Sequence, residues 1–191
     1  YWFFIPAIKS MRLSFYNYSY ITPERTEFVG FDNFVRLFHD KDFLKALQHT
    51  FLMVAVVVLL IAVLAFLIAV LLDGNLRGKT FFRTVYYMPY VISSVAVSIF
   101  FMYFFVKGGI GSRFFSLFGL KDTTWFTSTK YALFLVIIIY VWQQIGFYMI
   151  LYISGLQNIS AELYEVAKID GANKAQCIWY ITFPLVKPTT Y

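Results

Sequence analysis

Three stretches of this chain run without a charged side chain for longer than a membrane is thick. Residues 51–72 are 22 consecutive apolar side chains, residues 84–106 are 23 without a charge, and residues 131–161 are 31 without one. About 20 helical residues, each rising about 1.5 Å, cross a hydrocarbon core about 30 Å thick. Each run therefore reaches across, and the third has enough surplus to continue past the surface. Backbone groups in lipid must find partners within the protein, and alternating strands of about 10 residues are absent, so the runs are expected to be helices. The predicted class is all-α, a polytopic helical membrane protein. Composition agrees, with 60% apolar and 14% charged residues, where soluble domains carry about half and about a quarter. Disorder is excluded by the same numbers. A disulfide scaffold is excluded because Cys177 has no second cysteine to pair with.

Residues 1–8 read as the end of an apolar segment already under way. They lack the basic start and small-residue cleavage site of a signal peptide. The expected organisation is one transmembrane domain over 1–191 of an incomplete chain. Its spans lie at about 1–16 (partial), 51–72, 84–106 and 131–153, and a loop follows at about 154–183. Parity puts residues 73–83 and the segment after 152 on one side, and residues 17–50 and 107–130 on the other. Lys and Arg counts normally mark the cytoplasmic side. Here the first side carries six (Arg77, Lys79, Arg83, Lys168, Lys174 and Lys187) and the opposite side ten. The net charge of +6 is thus spread over both faces and leaves no basic patch, so no nucleic-acid partner is expected. In the first loop Asp32 is placed to cap a helix carrying Phe34, Val35, Leu37 and Phe38 on one side, and a second turn starts near Asp42. Such a helix suits the membrane surface. A similar short helix is expected over residues 113–117.

Several patterns imitate chemistry. Gly74-Asn-Leu-Arg-Gly78-Lys79-Thr80 has three residues where the phosphate loop requires four, and it follows a lipid-type helix instead of a buried strand. It reads as a turn built on Asp73-Gly74. Gly108, Gly109 and Gly111 have no strand before them. His39 and His49 stand ten residues apart without cysteine neighbours, which suits surface positions better than a metal. Cys177 has no nearby histidine base. No acidic residue lies within a span, so the carboxylates of proton relays are missing. No catalytic group, metal site or cofactor is expected.

The segment after the last span is richer. Ser160 is a good N-cap, and Glu162 sits in the first turn, where the helix dipole favours an anion. Leu163, Val166, Ala167 and Ile169 share a side flanked by Glu165 and Lys168, and Gly171 supplies a left-handed helix end. A second short helix is expected from about Asn173 to Phe183, stopping at Pro184. Two helices meeting at a glycine turn outside the membrane make a partly apolar knob. It could be a connector resting on the bilayer or a surface for docking a protein.

Glu165-Val-Ala167-x-x-Asp170-Gly171-Ala172, followed by Ile181-Thr182-Phe-Pro184-Leu-Val-Lys-Pro188, resembles the EAA loop of ATP-binding-cassette importer permeases. Gly155-Leu-Gln-Asn-Ile and Leu163-Tyr164 match the same stretch. Phe28-Val-Gly-Phe-Asp-Asn-Phe, Leu76-Arg-Gly-Lys-Thr-Phe-Phe-Arg83 and Tyr87-Met-Pro89-Tyr-Val-Ile-Ser extend the likeness over nearly the whole chain. They are similar to the carbohydrate branch, the permeases for maltose-like oligosaccharides and for glycerol phosphate. Val166 departs from the usual alanine, and Ala175 from a common aromatic. The resemblance implies a multi-pass subunit of a bacterial plasma membrane, with no enzymatic activity of its own. The EAA loop would be a coupling helix docked into a cytoplasmic ATPase pair, with Glu165 the charged contact, Ala167 the close-packed one, and Asp170, Gly171 and Ala172 forming the turn. A second permease subunit and an extracytoplasmic solute-binding protein would complete the assembly. This assignment makes residues 73–83 and 153–187 cytoplasmic, against the raw charge count.

Within the last span Tyr140, Gln144 and Tyr148 recur every four residues, with Trp142, Gln143 and Gly146 beside them. Intramembrane glutamines can hydrogen-bond sugar hydroxyls while aromatic faces meet sugar rings, but Gln, Gly and Ser in spans also serve helix packing or gating. Pro89 is expected to kink the preceding span, in which Ser93, Ser94 and Ser98 are weaker candidates for solute contact. The readings left open are a sugar importer, an importer for another solute such as glycerol phosphate, and a non-transporting scaffold that docks a cytoplasmic protein. A membrane-embedded enzyme would need intramembrane His or carboxylate groups, which the spans do not have.

Overall fold

The structure, a computed structural model, describes residues 1–19, 21–22, 26–74, 76–120, 124–128 and 131–190. Asn75 of the glycine turn, and Arg25, Lys121 and Lys130 of the charge count, lie outside the described residues. The chain divides into two compact units, residues 1–52 and 53–191.

In the first unit, α1 (Phe4–Leu13) is followed by a two-stranded antiparallel ladder, β1 (Tyr16–Asn17) with β2 (Glu27–Phe28), and by α2 (Asp32–His39). The ten residues of α1 extend about 15 Å, and the helix ends at Leu13, short of residue 16. Ser14 donates its hydroxyl to the Met11 carbonyl at 2.7 Å, and the Asn33 amide donates to the carbonyls of Ser14 (2.9 Å) and Tyr16 (3.0 Å). Asp32 turns out to be the first residue of α2 and makes no capping bond, the N-cap position being Phe31. Asp40 does the capping instead: its Oδ1 accepts from the Asp42 and Phe43 amides at 2.8 and 3.3 Å, starting α3 (Lys41–Asp73). The boundary between the two units falls within α3.

The second unit holds the rest of α3, α4 (Lys79–Val91), α5 (Ser94–Phe104), α6 (Ile110–Ser116), a 3₁₀ turn (Trp125–Thr127) and α7 (Ala132–Gln157). Two helices, α3 and α7, are long and apolar enough to cross a membrane, and α4 with α5 makes a third if the pair counts as one span. That pair corrects the expectation for residues 84–106. The helix begins at Lys79, continues past Pro89, and breaks at Ile92 and Ser93, whose ψ angles are 135° and 130°. The two pieces are bent by 92°. The bend thus lies beyond the proline, at a point where a side-chain donor meets the freed carbonyl.

Ala65, Ala69 and Leu72 of α3 pack with Ile145, Met149, Tyr152, Ile153 and Leu156 of α7, and Val57 and Ile61 pack with Ile137 and Val141. A third cluster is aromatic. Trp125, 1% exposed, lies between Phe105, Phe115 and Tyr131 at centroid distances of 5.5, 5.1 and 4.8 Å. Small side chains let helices approach closely where lipid offers no hydrophobic gain on association. Gly146 is the tightest case: a Cβ there would overlap the Tyr86 carbonyl oxygen of α4. Tyr90 of α4 stacks on Phe147 next to it, centroids 4.7 Å apart.

Gly146→Val is therefore expected to force α4 and α7 apart, at a cost of about 1–3 kcal/mol for overpacking. Gly74→Ala, whose Cβ would meet only the Leu71 carbonyl at 3.8 Å, is the control. Thermal unfolding of the detergent-solubilised protein should show a lower midpoint for the first and not for the second; equal midpoints would refute the contact.

Candidate functional site

After α7 the chain turns at Asn158 and enters α8 (Ala161–Ile169) through Ser160, whose hydroxyl accepts from the Glu162 amide at 3.3 Å. The far end is a complete Schellman motif. The Gly171 amide donates to the Lys168 carbonyl at 3.2 Å, and the Ala172 amide reaches back to the Ala167 carbonyl at 2.9 Å. This pairing requires a left-handed residue at Gly171, which has φ +81°. Asp170 is the C-cap. Asn173 and Gln176 then form a reciprocal capping box, with bonds of 2.8 and 2.9 Å, which opens α9 (Lys174–Cys177).

Pro184 does not end the second helix as expected. A π-turn (Ile178–Thr182) follows α9, then α10 (Phe183–Val186) and a 3₁₀ turn (Lys187–Thr190). Pro184 stands at the second position of α10, directly after the π-turn in one continuous helical run.

No residue of α8 is buried. Leu163, Val166 and Ile169 are 45%, 56% and 84% exposed, so the apolar side of the knob is open. Glu165, Asp170 and Gly171 are exposed, while Ala167 and Ala172 are half-buried. The five residues are thus brought together on one helix and its terminal turn.

The intramembrane candidates separate into two groups. Tyr140 (43% exposed) and Tyr148 (41%) flank the half-buried Gln144 along one side of α7. Gln143 is 7% exposed and faces elsewhere: its Nε2 donates to the Ile92 carbonyl at 3.2 Å and to the Ser94 hydroxyl at 3.3 Å. Both acceptors belong to the break between α4 and α5. Trp142 meets Phe101 of α5 edge-on, centroids 5.5 Å apart. The sequence sets Gln143 beside the aromatic stripe and leaves helix packing open as its alternative role, which is the one these two bonds fit. The small residue at Gly146, one turn further on, was the available signal that this side packs against another helix. The reading also missed a bond between Tyr164 and Thr182, since no local pattern links residues 18 apart.

Two long apolar helices, a bent pair and an exposed capped helix describe a multi-pass membrane protein. Residues 62–190 match the family described as the binding-protein-dependent transport system inner membrane component, and the chain belongs to that family. Among its relatives, the probable ABC transporter permease protein YurN of Bacillus subtilis is 33% identical, over 98% of this chain and 66% of its own length. The multiple sugar-binding transport system permease protein MsmF of Streptococcus mutans is 32% identical, over 98% and 64%. The sn-glycerol-3-phosphate transport system permease protein UgpA of Salmonella typhimurium is 31% identical, over 87% and 56%. Among solved structures, a bacterial alginate ABC transporter in complex with an alginate pentasaccharide-bound periplasmic protein superposes with a TM-score of 0.80 at 27% identity, over 99% of this chain and 64% of the other. The chain thus spans less than two thirds of the length of each of these proteins.

Replacing Gln143 by Leu would leave the Ile92 carbonyl without its partner, a loss of about 1–3 kcal/mol. The expected result is a thermal midpoint lowered by a few degrees in detergent, with Gln144→Leu close to the parent. A Gln143→Leu protein as stable as the parent would show that the break does not depend on this side chain.

Proposed function

We propose that the chain is part of the transmembrane subunit of a bacterial importer for saccharides, forming part of the translocation path and drawing its energy from a separate cytoplasmic ATPase. The observation that carries this reading is the exposed knob of α8, an open apolar side with Glu165 beside it on a helix that buries nothing, in a chain of this transport family. Saccharide transport is supported by the names of its relatives, a sugar-transport permease and an alginate transporter. On this reading the subunit sits in the bacterial inner membrane. The segments 73–83 and 153–187 face the cytoplasm, a second permease subunit completes the path, and an external binding protein delivers solute. Glycerol phosphate is the second reading, favoured by the likeness to UgpA.

In docking, Glu165 offers the charge and Ala167 the close approach, while Asp170, Gly171 and Ala172 hold the turn that orients them. Gly171→Pro removes the amide that reaches the Lys168 carbonyl and forces φ from +81° to about −65°. Glu165→Lys reverses the charge at an exposed position without touching the caps. Purified from detergent-solubilised membrane, the full-length parent should bring an ATPase with it, and Gly171→Pro should lose it. Both variants should insert normally, Gly171→Pro without uptake for want of its ATPase and Glu165→Lys with ATP hydrolysis uncoupled from uptake. Absence of any ATPase from a well-folded parent favours the scaffold reading instead.

Tyr140, Gln144 and Tyr148 are the proposed solute-facing residues, aromatic rings around one amide on the open side of α7. Gln144→Leu should raise the KM of uptake several-fold at unchanged protein level. Unaltered uptake kinetics would remove the stripe from the path.

A further inference from the structure

Because α8 buries none of its residues, little besides its two chain connections holds it to the rest of the unit. Among the described residues, one side-chain hydrogen bond joins α8 to another element: the Tyr164 hydroxyl meets Thr182 Oγ1 at 3.0 Å. The direction of that bond follows from proton counting. The Thr182 hydroxyl donates its single proton to the Cys177 carbonyl at 3.2 Å, so toward Tyr164 it can only accept, and Tyr164 is the donor. Thr182 is 4% exposed and is the last residue of the π-turn. The residues just after it are anchored in the spans. Phe183 lies edge-on to Phe66 of α3 (5.8 Å), Phe66 lies edge-on to Tyr152 of α7 (5.7 Å), and Val186, 1% exposed, packs with Ala65, Ala69 and Met149. The far side of the bond is thus fixed to the α3–α7 core and the near side to a helix with no core of its own.

We propose that Tyr164 is a positioning residue whose hydroxyl clasps α8 to the π-turn, so that displacement of the knob is delivered to the spans instead of being absorbed at the Gly171 turn. The inference rests on the reading of α8 as the ATPase-coupling helix and adds the element that makes it rigid. The π-turn is part of the device. Its wider register carries the Thr182 hydroxyl to the carbonyl five residues back, and such turns recur at functional sites.

The test measures solute imported per ATP hydrolysed by the full-length permease complex in proteoliposomes, together with the amount of ATPase retained. Tyr164→Phe keeps the ring and removes only the donor. The expected result is full retention of the ATPase, hydrolysis within about twofold of the parent, and at least a several-fold fall in solute moved per ATP. Thr182→Val should do the same, Thr182→Ser should restore the parent ratio, and the Tyr164→Phe/Thr182→Val double variant should be no worse than either single one. A residue serving stability alone would lower the yield of complex and leave the ratio intact. Tyr164→Phe with the parent ratio overturns the clasp, as does Thr182→Ser failing like Thr182→Val. Loss of the ATPase from Tyr164→Phe also overturns it, by placing Tyr164 in the docking surface. A parent that holds no ATPase overturns the underlying functional reading as well, so the two failures are distinguishable.

Discussion

A peptide carbonyl freed from its helix inside an apolar environment must find another donor, and here the donor for Ile92 is the buried Gln143. The bond is made where α4 and α5 part, at a bend of 92°. A break in lipid without a partner would cost far more than the strain of bending, and water cannot supply the missing bond. Gln143 can reach the break because Gly146, one turn further along the same side of α7, lets the α4 backbone come close enough to touch. The Tyr90–Phe147 stack then fills the space beside that contact. One amide meets a segment of more than 20 uncharged residues where it turns, and one absent side chain leaves room for that approach.

The same helix organises the two regions on which function is proposed. Within the span, the side of α7 carrying Tyr140, Gln144 and Tyr148 is left open because the opposite side is spent on α3, α4 and the break. Beyond the span, α7 hands the chain to α8, which is held by hydrogen bonds at its caps and by one bond from Tyr164, with almost no burial. A helix built this way keeps its own shape while offering most of its surface. That is what a docking element requires, and it is also why the Tyr164–Thr182 bond has few competitors for a mechanical role.

Much of this was legible in the chain. The long uncharged runs place α3 and α7, because lipid leaves the backbone one economical solution. Ser160 and Gly171 mark the ends of α8 through their own conformational and hydrogen-bonding chemistry. The EAA-like pattern leads to the family that the match over residues 62–190 establishes. Other elements went differently from the reading. Pro89 does not set the bend, which lies at Ile92 and Ser93, and Pro184 does not stop its helix, which continues through the π-turn into α10. Asp32 is not a cap, and Asp40 is. Gln143, set beside the aromatic stripe in the sequence, is bonded to the α4–α5 break.

These differences share a cause. Local sequence determined the quantities that depend on neighbours in the chain: the apolar length of each long helix, the cap at Ser160, the left-handed turn at Gly171, and which residues share the apolar side of α8. Tertiary structure alone decided which of two adjacent glutamines faces a broken helix, which glycine is a contact point, and which tyrosine holds the knob to the core. Each of those answers rests on a partner between 18 and 60 residues away in the chain, as in Tyr164 with Thr182 and Gly146 with Tyr86. Hydrogen bonds and steric contacts act over a few ångströms of space, so such pairings follow from packing and leave no periodic trace in the chain itself.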